Sequence, residues 1–134
     1  MKPELAEQFN LEQHPEGGWY RRTWASPETV AVGDNTRPLA TLILFALPTG
    51  EASAWHKVTS DELWIWNGLG PVELQLGGDG DAPVDGEITV VGAQTPQSLV
   101  PAGVWQRTLP GAADALVSCF VSPGFDFADF TLAQ

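Results

Sequence analysis

Residues 50–68 read GEASAWHKVTSDELWIWNG, and this stretch indicates the fold class. It holds His56, one of only two histidines, and Glu62 follows six residues later. This spacing suits two adjacent antiparallel strands, in which a short turn brings both side chains to the same interior face. An imidazole and a carboxylate so placed can bind a divalent metal, or act as a base with its orienting partner. The plainer alternative is that His56 is hydrogen-bonded to Glu62 or to a carbonyl.

The chain around this stretch has the pattern of an all-β protein. After a short helix predicted at 3–9, Gly, Pro and Asp separate short alternating or apolar runs, as in a sandwich or barrel. The run LATLILFAL at 39–47 predicts a central strand with both faces covered, and the polar stretch 26–38 predicts a mobile flap. Strands are predicted near 18–25, 39–47, 52–58, 62–67, 71–76, 86–91, 97–100, 104–109 and 114–122.

Composition limits the classes of partner. Seventeen acidic residues against six Lys and Arg give a net charge of −11, which disfavours nucleic acid and anionic membranes as partners. No run of about 20 apolar residues is present to span a bilayer, and no signal-peptide pattern opens the chain. Cys119, the only cysteine, lies in an apolar run that predicts a buried, inert thiol. We expect one cytoplasmic domain over residues 1–134.

Five motifs in order resemble a known family over nearly the whole chain. Residues 50–68 and 100–106 resemble the two cupin motifs. The wider set resembles the cupin-like family long classed as a domain of unknown function, whose fold is similar to rhamnose-pathway sugar epimerases and germins. The motifs are His14–Arg21, Ser53 with His56, Asp61–Trp64, Val100–Gln106 without Val104, and Ser122–Phe127 with Phe130. The resemblance implies a cupin, that is, a double-stranded β-helix or jelly-roll barrel with a short N-terminal helix.

Two departures from the cupin pattern bear on metal binding. The resemblance implies two His and a Glu from the first motif and a third His from the second. Here Val58 and Gln106 occupy two of the histidine positions. The remaining set of His56, Glu62 and Gln106 predicts at most a weakly held divalent metal, so no cofactor is expected to be required.

The segment 14–21 supplies further candidates. Gly17 and Gly18 permit close backbone approach, and Tyr20 and Arg21 should point to opposite faces of a strand. Arg21 can hold a carboxylate or phosphate, or pair with an acid of the chain. Because the similar epimerases use a His base and a Tyr acid, the resemblance makes Tyr20 a catalytic candidate beside His56 and Glu62. Packing at a barrel rim is the alternative for Tyr20.

Aromatic side chains surround the motif residues. Trp64 and Trp66 should share a face with Glu62, while Trp55 should point away from His56. Trp64, Trp66 and Trp105 are candidate ligand-binding residues together with Gln106, Arg21 and Asp126. Core packing or a dimer interface is the alternative for the tryptophans, and capping of a turn for Asp126. His14 is expected to be exposed or locally hydrogen-bonded.

These observations favour a small-molecule-binding cupin with a polar pocket around His56 and Glu62. As an enzyme it would catalyse proton transfer or isomerisation on a sugar-like or other small carbonyl substrate. An anionic group of the ligand would bind Arg21. The alternative is a non-catalytic sensor or storage-type binding module. A metal-dependent oxygenase or isomerase is disfavoured by Val58 and Gln106. A homodimer is expected from the exposed strand edges and the many tryptophans.

Overall fold

The computed structural model, which describes residues 1–134, is built almost entirely of short β-strands. One α-helix, α1 (Glu4–Gln8), precedes them, and a 3₁₀ helix spans Phe127–Asp129. The strands are β1 (Glu12–Gln13), β2 (Trp19–Ala25), β3 (Thr29–Val32), β4 (Asn35–Pro38), β5 (Thr41–Leu47), β6 (His56–Val58), β7 (Asp61–Leu69), β8 (Val72–Leu76), β9 (Ile88–Val91), β10 (Gln97–Val100), β11 (Gln106–Thr108), β12 (Ala115–Ser122) and β13 (Phe130–Leu132).

Two antiparallel sheets face each other. One has six strands in the order β1-β2-β5-β12-β7-β10, and the other has five in the order β13-β6-β11-β8-β9. Inward-pointing apolar side chains of both sheets form the main core, which includes Phe45, Trp64 and Val117. The chain is therefore an all-β jelly roll, as the sequence predicted.

Strand β5 has the central position predicted from its apolar run. It pairs with β2 on one side and β12 on the other. Phe45 points into the main core, while Ala46 packs outside the sheet against Leu5 and Leu116. Helix α1 therefore covers the outer face of the sheet at this point, which explains why both faces of the strand are apolar.

The structure corrects two predictions. The polar stretch 26–38, expected as a mobile flap, contains the β3–β4 hairpin, and Arg37 anchors it through a bidentate ion pair with Asp129. In addition, β6 and β7 do not pair with each other, because they belong to different sheets. The turn between them passes from one sheet to the other, so His56 and Glu62 lie on opposing sheets.

Neither helix is both long and apolar enough to cross a lipid bilayer.

Gly18 provides a test of the close packing beside β5. Its φ is +77°, and a Cβ there would lie 2.6 Å from Cζ of Phe45. Gly50 also has positive φ, +81°, but nothing lies within 4 Å of its Cβ position. We expect Gly50→Ala to lower the free energy of unfolding by about 1 kcal/mol from backbone strain alone, and Gly18→Ala by about 2–4 kcal/mol because overpacking is added. Urea unfolding measures both, and equal losses would contradict the contact.

Candidate functional site

A cavity of about 380 Å³ lies between the two sheets. Strands of the six-stranded sheet form most of its wall, β6 contributes the opposing side, and residues 125–127 border it. Nine of its sixteen lining residues are hydrophobic, so the few polar side chains define its chemistry. The lining residues are His14, Glu16, Tyr20, Arg22, Thr41, Ile43, Phe45, His56, Val58, Glu62, Trp64, Cys119, Val121, Phe125, Asp126 and Phe127.

Glu16 reaches this cavity because the chain folds tightly just before β2. The amide of Gly17 donates to the carbonyl of His14 at 2.9 Å, and the amide of His14 donates to the carbonyl of Gly18 at 2.9 Å. A Cβ at Gly17 would collide with the Ala52 carbonyl, and its φ is +104°. Only glycine fits this close approach without strain, as the sequence indicated.

Glu16 stands between the two histidines of the chain. Its Oε1 lies 3.3 Å from Nδ1 of His14 and 3.3 Å from Nε2 of His56. All three side chains are at least nine-tenths buried. A single carboxyl oxygen therefore contacts both imidazoles inside an enclosed site.

The backbone of Ala54 fixes the relative positions of Glu16 and His56. Its amide donates to the Glu16 carbonyl at 2.6 Å, and its carbonyl lies 2.7 Å from Nδ1 of His56. Since a carbonyl can only accept, Nδ1 of His56 carries a proton, and in the neutral ring Nε2 then presents a lone pair to Glu16. The His56 ring is also stacked on Phe130.

His14 has the opposite tautomer. Its Nδ1 accepts from the Glu16 amide at 3.2 Å, so Nε2 carries the proton of the neutral ring. The local hydrogen bond expected from the sequence is present, but the expected exposure is wrong, because His14 is 7% exposed among aromatic rings. The tight turn at Gly17 and Gly18 folds it inward.

Burial determines the protonation of this group. Desolvation lowers the pKa of His56 to about 4, although the Ala54 carbonyl offsets part of the shift. Desolvation and repulsion from His56 lower the pKa of His14 to about 4. Desolvation and the nearby Glu62 raise the pKa of Glu16 well above its ordinary value. Burial therefore favours two neutral imidazoles and the protonated form of the Glu16 carboxyl, for which Nε2 of His56 is the free acceptor.

Glu62 belongs to a separate buried chain of hydrogen bonds. Gln106 Nε2 donates to Glu62 Oε1 at 2.8 Å, and Trp64 Nε1 donates to Gln106 Oε1 at 2.9 Å. Burial raises the pKa of Glu62, and hydrogen bonds from Gln106 and Cys119 offset part of that shift. The Cys119 thiol is buried, and desolvation raises its pKa well above the ordinary value.

The predicted metal ligands do not fit a cation in this arrangement. An indole N–H is only a donor, so Trp64 holds the Gln106 amide oxygen and turns the amide nitrogen toward Glu62. Nε2 of His56 faces Glu16 rather than Glu62. Across the chain, no group of three or more His, Cys, Asp or Glu side chains is placed to hold a metal ion.

Five predicted site residues line the cavity: His56, Glu62, Tyr20, Trp64 and Asp126. Tyr20 packs edge-on against His14, with ring centroids 4.6 Å apart. Through Oδ1, Asp126 also accepts from the Ala128 amide, so it caps the 3₁₀ helix as well.

Four other predicted residues do not line the cavity. Gln106 lies behind Glu62 in the hydrogen-bond chain. Trp66 packs on the main core and donates to the Gly70 carbonyl, and Trp105 donates to the Gly80 carbonyl. Arg21 is exposed and donates to the Phe9 carbonyl, because strand alternation sends it to the face opposite Tyr20.

Sequence reasoning missed Glu16, His14 and Arg22 as cavity residues. Sequence reasoning could have predicted Arg22, because a side chain two residues after Tyr20 on a strand lies on the same face as Tyr20. Glu16 lies in a recognised motif, but its approach to His56 depends on a turn and a neighbouring segment rather than on any period in the sequence.

A sheet pair enclosing one polar-centred cavity, with cupin-like motifs on facing strands, defines a double-stranded β-helix protein of the cupin class. The family model described as Cupin superfamily (DUF985) matches residues 3–133, so the chain belongs to that family. A search of curated proteins gives no match.

Solved structures agree with this assignment. A hypothetical protein from Leishmania major is 31% identical, with a TM-score of 0.83 over 94% of this chain and 83% of the other. A protein from Shewanella oneidensis is 32% identical, with a TM-score of 0.78 over 100% and 86%. An uncharacterised Klebsiella pneumoniae protein with a double-stranded β-helix domain shares the fold at 15% identity, with a TM-score of 0.64 over 95% and 93%.

The protonation of Glu16 can be tested by its pH dependence. The folded protein keeps a proton on Glu16 at pH values where the unfolded chain has released it, so this group lowers wild-type stability as pH rises above its ordinary pKa of 4.5. A glutamine side chain at this position does not titrate. We expect Glu16→Gln to gain stability over wild type as pH rises above 4.5, by up to about 1.4 kcal/mol for each pH unit. Denaturant titrations measure this, Glu87→Gln controls for the lost charge, and parallel curves would contradict it.

The buried amide bridge at Gln106 gives a second prediction. Gln106→Leu removes the acceptor of the buried Trp64 indole, which then has no partner, and one of the two donors to the buried Glu62 carboxyl. We expect a loss of about 2–4 kcal/mol in the free energy of unfolding. Gln97→Leu, at an exposed position of β10, should change it by less than about 0.5 kcal/mol. Thermal and urea unfolding measure both, and equal small effects would rule out the bridge.

Proposed function

We propose that the cavity binds a small carbonyl compound or sugar-like molecule and transfers protons to and from it. The observation that carries this proposal is the buried contact of 3.3 Å between Glu16 Oε1 and His56 Nε2. It brings together a carboxyl whose protonated form is favoured by burial and an imidazole nitrogen with a free lone pair.

The proposed reaction is an enolisation. A substrate that enters between the two groups gives a C–H proton to Nε2 of His56, while Glu16 gives its proton to the carbonyl oxygen. The C–H bond breaks as the O–H bond of the enol forms. When the Glu16 carboxylate takes back an enol O–H proton, a proton delivered to the opposite face of the same carbon completes epimerisation, and a proton delivered by His56 to the neighbouring carbon completes isomerisation. The imidazolium and carboxylate formed together keep the net charge constant, so no isolated charge is buried at any stage.

The other polar groups have supporting roles in this proposal. The Ala54 carbonyl holds His56 in the tautomer whose Nε2 is free, and it stabilises the imidazolium form. Tyr20, a cavity residue next to His14, is the second candidate acid. Glu62 has no direct contact with His56, because its carboxyl is held by Gln106. Its role is to help raise the pKa of Glu16.

A non-catalytic binding module is the competing proposal. Both imidazoles have a pKa near 4, which makes them weak bases at neutral pH unless a substrate ionises Glu16. In this case the cavity would bind its ligand without forming a product.

Deuterium exchange separates the two functions. Wild-type protein is incubated in D₂O with a panel of aldoses, ketoses and 2-oxo acids, and proton NMR records the loss of signal from carbon next to the carbonyl. We expect exchange for at least one class, slowed about 10²–10⁴-fold in Glu16→Gln and in His56→Gln because acid or base is lost. His14→Gln should slow it less, since its Nδ1 is already occupied by the Glu16 amide. Binding without exchange would favour the binding module.

We further propose a cytoplasmic location, supported by the single buried unpaired cysteine and the acidic composition. The homodimer expected from the sequence also stays a prediction.

A further inference from the structure

Arg22 is the one cationic side chain that lines the cavity. The chain has only six Lys and Arg residues for its seventeen acids. Three of the other cations are engaged elsewhere: Arg37 pairs with Asp129, Arg107 pairs with Asp85, and Lys57 lies over the Trp105 ring. A guanidinium at a cavity, in so acidic a chain, therefore calls for an explanation in terms of a ligand.

Most of the binding capacity of Arg22 is free. Its Nη2 donates to the Phe125 carbonyl at 2.7 Å, which orients the guanidinium without neutralising its charge. None of the four ion pairs of the structure includes Arg22. A guanidinium has five N–H donors in a planar fork that matches a carboxylate.

None of the acids that line the cavity forms an ion pair with Arg22 in place of an anionic ligand. Asp126 uses Oδ1 to cap the 3₁₀ helix, and its charge acts favourably on Arg37. At the buried end, desolvation favours the neutral forms of Glu16 and Glu62. An anion that binds Arg22 would therefore not be repelled by three fully charged carboxylates in the cavity.

The position of Arg22 along β2 sets the orientation of such a ligand. Tyr20 and Arg22 project from the same face of the strand, about 7 Å apart along it. Arg22 is exposed, whereas Glu16, before the start of β2, is buried. The guanidinium thus lies at the open end of the cavity, and the acid–base pair lies at the closed end.

We propose that the ligand is a small carboxylate whose anionic group binds Arg22, with a carbonyl or hydroxyl group held at Glu16 and His56. This inference deepens the proposed function and rests on it for the role of the inner group. The aromatic side chains of Phe45, Phe125 and Phe127 line the cavity and would cover the intervening carbon atoms.

Binding measurements on two neighbouring arginines test the proposal. The probes are pyruvate, 2-oxobutyrate and 2-oxoglutarate, their uncharged counterparts pyruvamide and methyl pyruvate, and inorganic phosphate. Isothermal titration calorimetry and the fluorescence of the tryptophans, of which Trp64 lines the cavity, report binding. The variants are Arg22→Gln, Arg22→Lys and the control Arg21→Gln, which removes the same charge from the opposite face.

We expect at least one carboxylate to bind wild type and Arg21→Gln equally, and to bind Arg22→Gln about 10- to 100-fold more weakly. Arg22→Lys should fall between them, because it keeps the charge but loses the fork. Uncharged probes should not distinguish the variants. Equal losses in Arg21→Gln and Arg22→Gln, binding of phosphate alone, or no binding of any carboxylate would overturn the proposal. Circular dichroism establishes that each variant is folded.

Glu16→Gln distinguishes failure of this inference from failure of the proposed function. Carboxylate binding that depends on Arg22 and persists in Glu16→Gln, with no deuterium exchange in wild type, would leave the ligand class standing and remove the reaction. Exchange on uncharged carbonyl compounds that does not depend on Arg22 would keep the reaction and remove the carboxylate.

Discussion

The burial of one carboxyl group between two imidazoles is the constraint around which the site is arranged. Glu16 reaches this place because Gly17 lets the backbone approach Ala52, where a side chain would collide. The same segment supplies the Ala54 backbone, which holds the Glu16 carbonyl and the His56 ring together. In so enclosed a site neutral forms are favoured, so burial raises the pKa of the Glu16 carboxyl.

Two kinds of polar group lie at the cavity wall or directly behind it, and they act differently. The Glu62, Gln106 and Trp64 chain is satisfied within the protein, with each donor matched to an acceptor. Such a network holds the interior rigid but leaves little for a ligand. Glu16 and His56, by contrast, meet at 3.3 Å, a loose contact that a substrate oxygen could replace with a stronger hydrogen bond. The proposed chemistry is therefore assigned to the loosely held pair.

Much of the fold was predictable from the sequence. The apolar run at 39–47 predicted a central strand covered on both faces, and helix α1 covers its outer face as expected for such a strand. The prediction that His56 and Glu62 lie on two paired strands was wrong, because β6 and β7 belong to different sheets. A short turn can join two paired strands or lead from one sheet to the other, and the local residues do not distinguish these cases. The hairpin within 26–38 was missed because polar strands at a surface lack the apolar alternation on which strand prediction depends.

The sequence alone determined the class of the protein: an all-β chain with family motifs in order, His56 and Glu62 facing the interior, and histidines absent from the positions of Val58 and Gln106. These properties are local, since they depend on residue type, alternation and spacing. Only the tertiary structure decided that Glu16 rather than Glu62 contacts His56, and that Arg22 rather than Arg21 lines the cavity. These contacts join segments distant in the chain, and their protonation depends on burial, which arises only when both sheets enclose the site.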